Sequence, residues 1–272
     1  MKKDRTDNKK GPVLYIPHGG GPRPLLGDPA HQELVEFLQQ VPSQFTTPDA
    51  IVVISAHWEE NVVTITSGPS PSLIYDYYGF PEESYHIQYP APGSPELALS
   101  IYDLLQQQSI ASTLDQRRGF DHGMFVPLKL MYPEAQIPCV QISLLHSLNA
   151  HSHIAIGEAL SALRSKNILF LGSGFSFHNM KAFYATSSDR DETNEAFEFW
   201  LNDSCTNPEL SNAQRLQRLA DWSLAPGARY CHPREEHLLP LQVCAGIGAS
   251  PATRVFSASV LGKQASAYLW TD

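Results

Sequence analysis

Three short apolar runs narrow the folds open to this chain: Val13 to Ile16 (VLYI), Ile51 to Ser55 (IVVIS) and Ile168 to Gly172 (ILFLG). Each is β-branched or leucine-rich, is bounded by turn-forming residues and lacks polar alternation. Such runs suit strands buried on both faces, which in turn calls for a largely parallel sheet covered by helices. A histidine stands at or just past the end of each: His18 in VLYIPHGGGP, His57 in IVVISAHWEE and His178 in ILFLGSGFSFHNM. A fourth, His237, sits in HPREEHLLPLQV. Strand carboxyl ends in open α/β sheets converge on one crevice, so side chains far apart in sequence meet there. Imidazoles brought together in this way form a site for a divalent metal ion.

The rest of the chain continues the alternation. Helical spacing marks His31 to Gln40 and Pro95 to Gln108, the second with Ser94 as N-cap and Pro95 in its first turn. Val62 to Thr66 and Cys139 to Leu144 read as strands, His151 to Ser165 as a crossover helix, and Ser187 to Ala220 as a pair of surface helices. Val255 to Leu261 and Ala267 to Trp270 supply closing strands. The prediction is an α/β fold: one domain over 12–272, with a central mostly parallel or mixed sheet flanked by helices, after a flexible tail at 1–11.

A formal charge of −9 over 272 residues argues against general binding to nucleic acid or to anionic membrane, both of which require a positive surface. No apolar run reaches the ~20 residues of a spanning helix, and the polar MKKDRTDNKKGP start lacks the apolar core of a signal peptide. The expectation is a cytoplasmic protein that acts on small molecules. The four cysteines form no CxxC pair, and Cys139 and Cys244 lie in apolar runs as core residues.

The GGGP after His18 lets backbone approach a bound group, but it has neither the spaced glycines of a dinucleotide fingerprint nor the Lys-Ser/Thr of a P-loop. No GxSxG elbow is present. His122, in RRGFDHGMFVPL, stands where a loop enters an apolar helix, and the adjacent Asp121 need not be its partner. Read as part of a helix, PREEH cannot present both Glu236 and His237 to the pocket, because neighbours on a helix diverge by about 100°. His31, His86, His146, His151, His153 and His232 read as surface or structural groups. The aromatics of YDYYGFP (Tyr75, Tyr77, Tyr78, Phe80) read first as core and second as pocket lining. Arg117 and Arg234 read as surface charges, with recognition of a substrate carboxylate as the alternative.

Seven segments, IPHGGGP, SAHWE, YDYYGFP, YPAPGSP, GFDHGMFVPL, GSGFSFHN and PREEHLLPL, occur in this order along nearly the whole chain. Together they resemble the class III extradiol ring-cleavage dioxygenases, in particular the 4,5-DOPA dioxygenase-like branch. The resemblance implies one divalent metal ion at the carboxyl edge of the sheet, Fe(II) for catalysis with Zn(II) possible. It implies His18 and His57 as ligands and His237 as the third, with Glu236 the competing ligand because the wider family uses a glutamate. It further implies His178 as a fourth ligand or the catalytic base, and His122 as a histidine of the substrate pocket. Substrates would be a catechol and O2, and the product a muconic semialdehyde. The other reading left open by the residues is a zinc-bound hydrolase or a non-catalytic metal-binding member of the same fold.

Overall fold

The computed structural model describes residues 10–183 and 191–271. In chain order the elements are β1 (Val13–Pro17), α1 (Gln32–Gln40), β2 (Ala50–Glu60), β3 (Val63–Thr66), α2 (Pro95–Gln107), β4 (Ser112–Asp115), α3 (His122–Met131), β5 (Cys139–Leu145), α4 (Ala150–Leu160) and β6 (Ile168–Gly174). They continue with α5 (Met180–Phe183), α6 (Glu192–Thr206), α7 (Asn212–Ala220), α8 (Ala228–Cys231), α9 (Leu239–Gly248), β7 (Thr253–Val260) and β8 (Lys263–Trp270). The strands form one eight-stranded sheet in the order β4-β3-β5-β2-β6-β1-β8-β7.

The apolar runs account for the centre of this sheet. β5, β2, β6 and β1 are neighbours and parallel, and β1 and β6 are buried at every position. The margins are mixed: β3 pairs antiparallel with β5, and the β7–β8 hairpin joins β1 antiparallel through β8. Helices cover the parallel core, as such strands require. The whole of α9 is buried, packed against α4 and against β6 and β1.

Local signals set the helix ends. Ser94 accepts from the Leu97 N–H to open α2, Asn149 accepts from the Ser152 N–H to open α4, and Ser211 with Gln214 forms a reciprocal capping box on α7. At the other end of α6, buried Arg215 donates to the carbonyls of Ser204, Cys205, Asn207 and Leu210, which satisfies acceptors that the helix itself leaves open.

Several boundaries differ from those read in the sequence. β2 runs on through Glu60, because after Ile54 it bulges and then regains β5 at Glu59. β4 is a short, partly exposed edge strand that pairs with β3, and no periodicity announced it. The insertion read from 187 onward is α6 and α7 from residue 192; its first residues, 187–190, lie outside the described residues. Residues 1–9 of the expected tail also lie outside them. Gly11, by contrast, is buried: its N–H donates to the Arg164 carbonyl, and Arg164 Nε donates to the Gly11 carbonyl. All four cysteines are buried and free.

Candidate metal centre

Three of the four strand-end histidines come from adjacent parallel strands. His18 follows β1, His178 follows β6 by four residues, and His57 lies within β2. The bulge delivers His57. Between the pairs Ile54–Ile142 and Glu59–Leu144, β2 advances five residues while β5 advances two, so the extra residues leave the plane and re-aim the imidazole.

His237 arrives from the other side of the chain, and not from a helix. α9 begins at Leu239, so Glu236 and His237 occupy the turn before it. The helical argument that the two side chains must diverge therefore does not hold, and Glu236 Oε1 lies 3.0 Å from His237 Nδ1. The turn is fastened through the His237 carbonyl, which accepts from the Phe175 N–H (2.9 Å) and the Tyr15 hydroxyl (3.1 Å). Gly174 makes this possible, since a Cβ there would stand 2.1 Å from that carbonyl oxygen.

His122 opens α3 and joins the cluster. Ligating atoms of His18, His57 and His122 lie within 4.8 Å of one another, as do those of His178, Glu236 and His237. The two groups meet through His237, whose ring centroid is 5.2 Å from that of His18 and 5.0 Å from that of His57. His178 stacks on His237 at 3.4 Å.

Hydrogen bonds fix which nitrogen each ring turns inward. Ser173 Oγ donates to the Gly123 carbonyl, so it is the acceptor for His18 Nδ1 at 3.0 Å. Asp76 Oδ1 accepts from His122 Nδ1 at 2.9 Å, and Glu236 Oε1 accepts from both His237 Nδ1 and His178 Nδ1, at 3.0 and 3.1 Å. In His18, His122, His178 and His237 the Nε2 lone pair is thereby left for another partner. His18 Nε2 stands 3.0 Å from His57 Nε2. Only a proton or a cation shared between those two atoms makes that approach favourable, so the donor set fits a divalent ion.

Burial keeps the rings of His18, His57 and His237 in the neutral form that ligation needs. Desolvation, with repulsion from the other histidines, holds His18 and His57 well below the ordinary imidazole value. The same causes push His237 down to about 3 despite its acidic partner. Burial opposes ionisation of Glu236, yet the hydrogen bonds from His178 and His237 hold its carboxyl well below the usual range. Burial also opposes ionisation of Asp76, and the bonds from His122 outweigh it.

A further layer ties the site to the sheet. Asp121, next to His122 in sequence, faces away from it and accepts from Ser55 Oγ, Arg118 and Gln141. Ser55 Oγ in turn accepts from the His57 N–H, so Asp121 steadies the bulge. Of the aromatics, Tyr77 lies edge-on to His122 at 5.7 Å, while Tyr78 is 91% exposed. Arg117 is exposed, and Arg234 is held by Glu59 in a bidentate pair at 2.6 and 2.7 Å. His31, His153 and His232 are buried structural groups; His31, for example, accepts from the Gly20 N–H. Asp76 went unremarked in the sequence, and its only signal was a lone acid among the aromatics of YDYYGFP.

Fold and cluster define a class: an α/β protein with a histidine set able to hold a divalent ion at the carboxyl edge of its sheet. The chain belongs to the family of the catalytic LigB subunit of aromatic ring-opening dioxygenases, whose sequence model matches residues 11–267. It is an extradiol dioxygenase of that family. It is 39% identical to dioxygenase tasH of Hapsidospora irregularis, over 95% of this chain and 85% of that protein. It is 37% identical to the 4,5-DOPA dioxygenase extradiol of Beta vulgaris, over 86% and 85% of the two chains. Among solved structures, an uncharacterized protein of Escherichia coli K12 superposes with a TM-score of 0.76 at 29% identity, covering 96% of this chain and 99% of that one. Among the described residues no helix is long and apolar enough to cross a membrane.

Proposed function

We propose that this chain opens the ring of a catechol, DOPA-like in character, at the bond adjacent to the diol, in a reaction that depends on a bound divalent metal. Both atoms of O2 enter the product, a muconic semialdehyde: the O–O bond and one ring C–C bond break, and each carbon of the broken bond gains an oxygen. The observation that supports this most directly is the 3.0 Å approach of His18 Nε2 to His57 Nε2, with the other imidazoles turned the same way.

His18, His57 and His237 are the residues we assign to hold the ion. Glu236 is the weaker candidate for the third ligand, because one of its oxygens already serves two imidazoles. Fe(II) is the ion that fits the family's chemistry; when bound it would supply adjacent open positions and the electron transfer that O2 activation requires, which zinc does not. The His237 ring meets those of both His18 and His57, whereas His178 reaches the cluster by stacking on His237, which favours a role as the base that takes a catechol proton. Asp76 leaves His122 with Nε2 toward the site, where it can accept or return a proton at an oxygen of the substrate. Tyr77, buried and edge-on to His122, helps keep water from the reacting ring.

The test is anaerobic loading with Fe(II), followed by oxygen uptake with a panel of catechols that includes DOPA. Stoichiometric O2 consumption with a yellow semialdehyde supports the assignment. A chain that binds Fe(II) yet consumes no O2 with any catechol overturns it and favours a zinc-dependent hydrolase or a non-catalytic role.

A further inference from the structure

The geometry points to Asp76 as a positioning residue that serves two imidazoles at once. It fixes His122 with its Nδ1 proton outward, and its second oxygen stands at ion-pair distance from His57 Nδ1, placed to attract the proton that atom must carry once a cation takes Nε2. This inference rests on the metal-centre reading above.

Asp76 belongs to no strand or helix, and it sits 46 residues before His122. Even so, its Oδ1 accepts from both the backbone N–H and the ring Nδ1 of His122, each at 2.9 Å. Its other oxygen, Oδ2, lies 3.8 Å from His57 Nδ1. The two rings are themselves 3.9 Å apart, so one carboxylate straddles both. In the opposite half of the site Glu236 also serves two imidazoles, but through the single oxygen Oε1 for both His178 and His237.

The loop that carries Asp76 is tied down on both sides. The Ile74 N–H donates to the Phe120 carbonyl and the Phe120 N–H to the Ser72 carbonyl, two residues ahead of His122. The hydroxyls of Tyr75 and Tyr77 donate to the carbonyls of Ile87 and Ser84. A carboxylate so held acts on orientation and tautomer together: a ring turned over would present Cδ2–H in place of the Nδ1–H donor, and the Nε2–H tautomer would set the Nδ1 lone pair against the negative oxygens. Because His18 Nδ1 donates to Ser173, the proton between His18 Nε2 and His57 Nε2 belongs to His57 in the metal-free state; ligation moves it to Nδ1, where Oδ2 stands 3.8 Å away as the carboxylate oxygen in ion-pair reach. Acid partners of this kind are worth about 10- to 100-fold in metal affinity.

Asp76→Asn separates the two duties. Its carboxamide oxygen can keep both His122 contacts, while its NH2 replaces Oδ2 and opposes a proton on His57 Nδ1. Asp76→Ala removes both. The measurements are Zn(II) affinity by chelator competition, His122 tautomer by long-range proton–nitrogen NMR of the metal-free protein, and unfolding of the metal-free protein. The expected result is about a 10- to 100-fold loss of Zn(II) affinity in both variants, with the Nδ1–H form of His122 kept in Asp76→Asn and lost in Asp76→Ala, and unfolding unchanged in Asp76→Asn. Wild-type affinity in Asp76→Asn overturns the claim of two imidazoles, and an affinity loss that only follows a lowered unfolding midpoint overturns positioning. Failure of the wild-type chain to bind Zn(II) overturns it too. None of these readouts needs turnover, so a failed oxygen-uptake assay is a separate result.

Discussion

His18 and His57 approach each other Nε2 to Nε2 at 3.0 Å, and the other nitrogen of His18 is already committed to Ser173. Two basic atoms this close, in a site that disfavours their protonation, store affinity for a cation.

Replacing either residue with alanine should therefore abolish tight metal binding while leaving the fold intact. His18→Ala and His57→Ala are expected to lose more affinity than the roughly 100-fold upper range for an outer partner. Metal content after dialysis against a weak chelator, together with circular dichroism, checks this; a variant that keeps full metal content removes that residue from the ligand set.

His178 should behave differently. It reaches the cluster by stacking on His237, while His237 itself meets His18 and His57, so His178→Ala is expected to retain metal and to lose turnover by the ~10²–10⁴-fold typical of a general acid or base. Parallel metal analysis and oxygen-uptake rates decide it, and loss of metal in step with activity would make His178 a ligand.

Gly174 is the backbone counterpart of the proposed ligands. A methyl group there collides with the His237 carbonyl at 2.1 Å, and both partners are main chain or bound to it, so neither can rotate away. Gly174→Ala should cost about 1–3 kcal/mol of stability, as overpacking does, and should also weaken metal binding by shifting His237. Denaturant unfolding and metal titration of the same variant test the coupling.

Glu198, outside the histidine cluster, makes a pH prediction. It is buried on α6 with Oε2 on the Ser266 hydroxyl, and burial pushes its carboxyl up to about 7 from an ordinary 4.5. Between those values the folded chain holds a proton that the unfolded chain has released, so stability falls as pH rises. The contribution is intact below about pH 4.5, is lost by about pH 7, and amounts to about 3 kcal/mol. Glu198→Gln should remove this slope. Subtracting its unfolding free energy from that of the wild-type chain across pH 4 to 8 isolates the effect, and a flat difference would rule it out.

What the sequence made legible was local. Continuous apolar runs marked β1, β2, β5 and β6, and because parallel strands converge at their carboxyl ends, the meeting of His18, His57 and His178 followed from that alone. β4 was not legible, since an edge strand of Ser, Thr, Leu and Asp has no buried face to impose alternation. The turn at Glu236 and His237 was misread as helix because LLPLQV is apolar, although Pro240 near the first turn of α9 is a start signal that places the boundary later. Asp76 is a tertiary fact: its partners are 19 and 46 residues away, and no period or cap in YDYYGFP records them.

The fastening of the His237 carbonyl has a consequence in time. Its partner Tyr15 is 222 residues away, near the opposite end of the chain. Contacts of such separation form only after the intervening chain has closed, so the last imidazole reaches its place when β1, β6 and the turn before α9 have already come together. A nascent chain still lacking that turn presents an incomplete set of donors. On the proposed ligand assignment, ion capture is thus a late event in the life of the polypeptide, and the chain that receives the ion is one that has already folded.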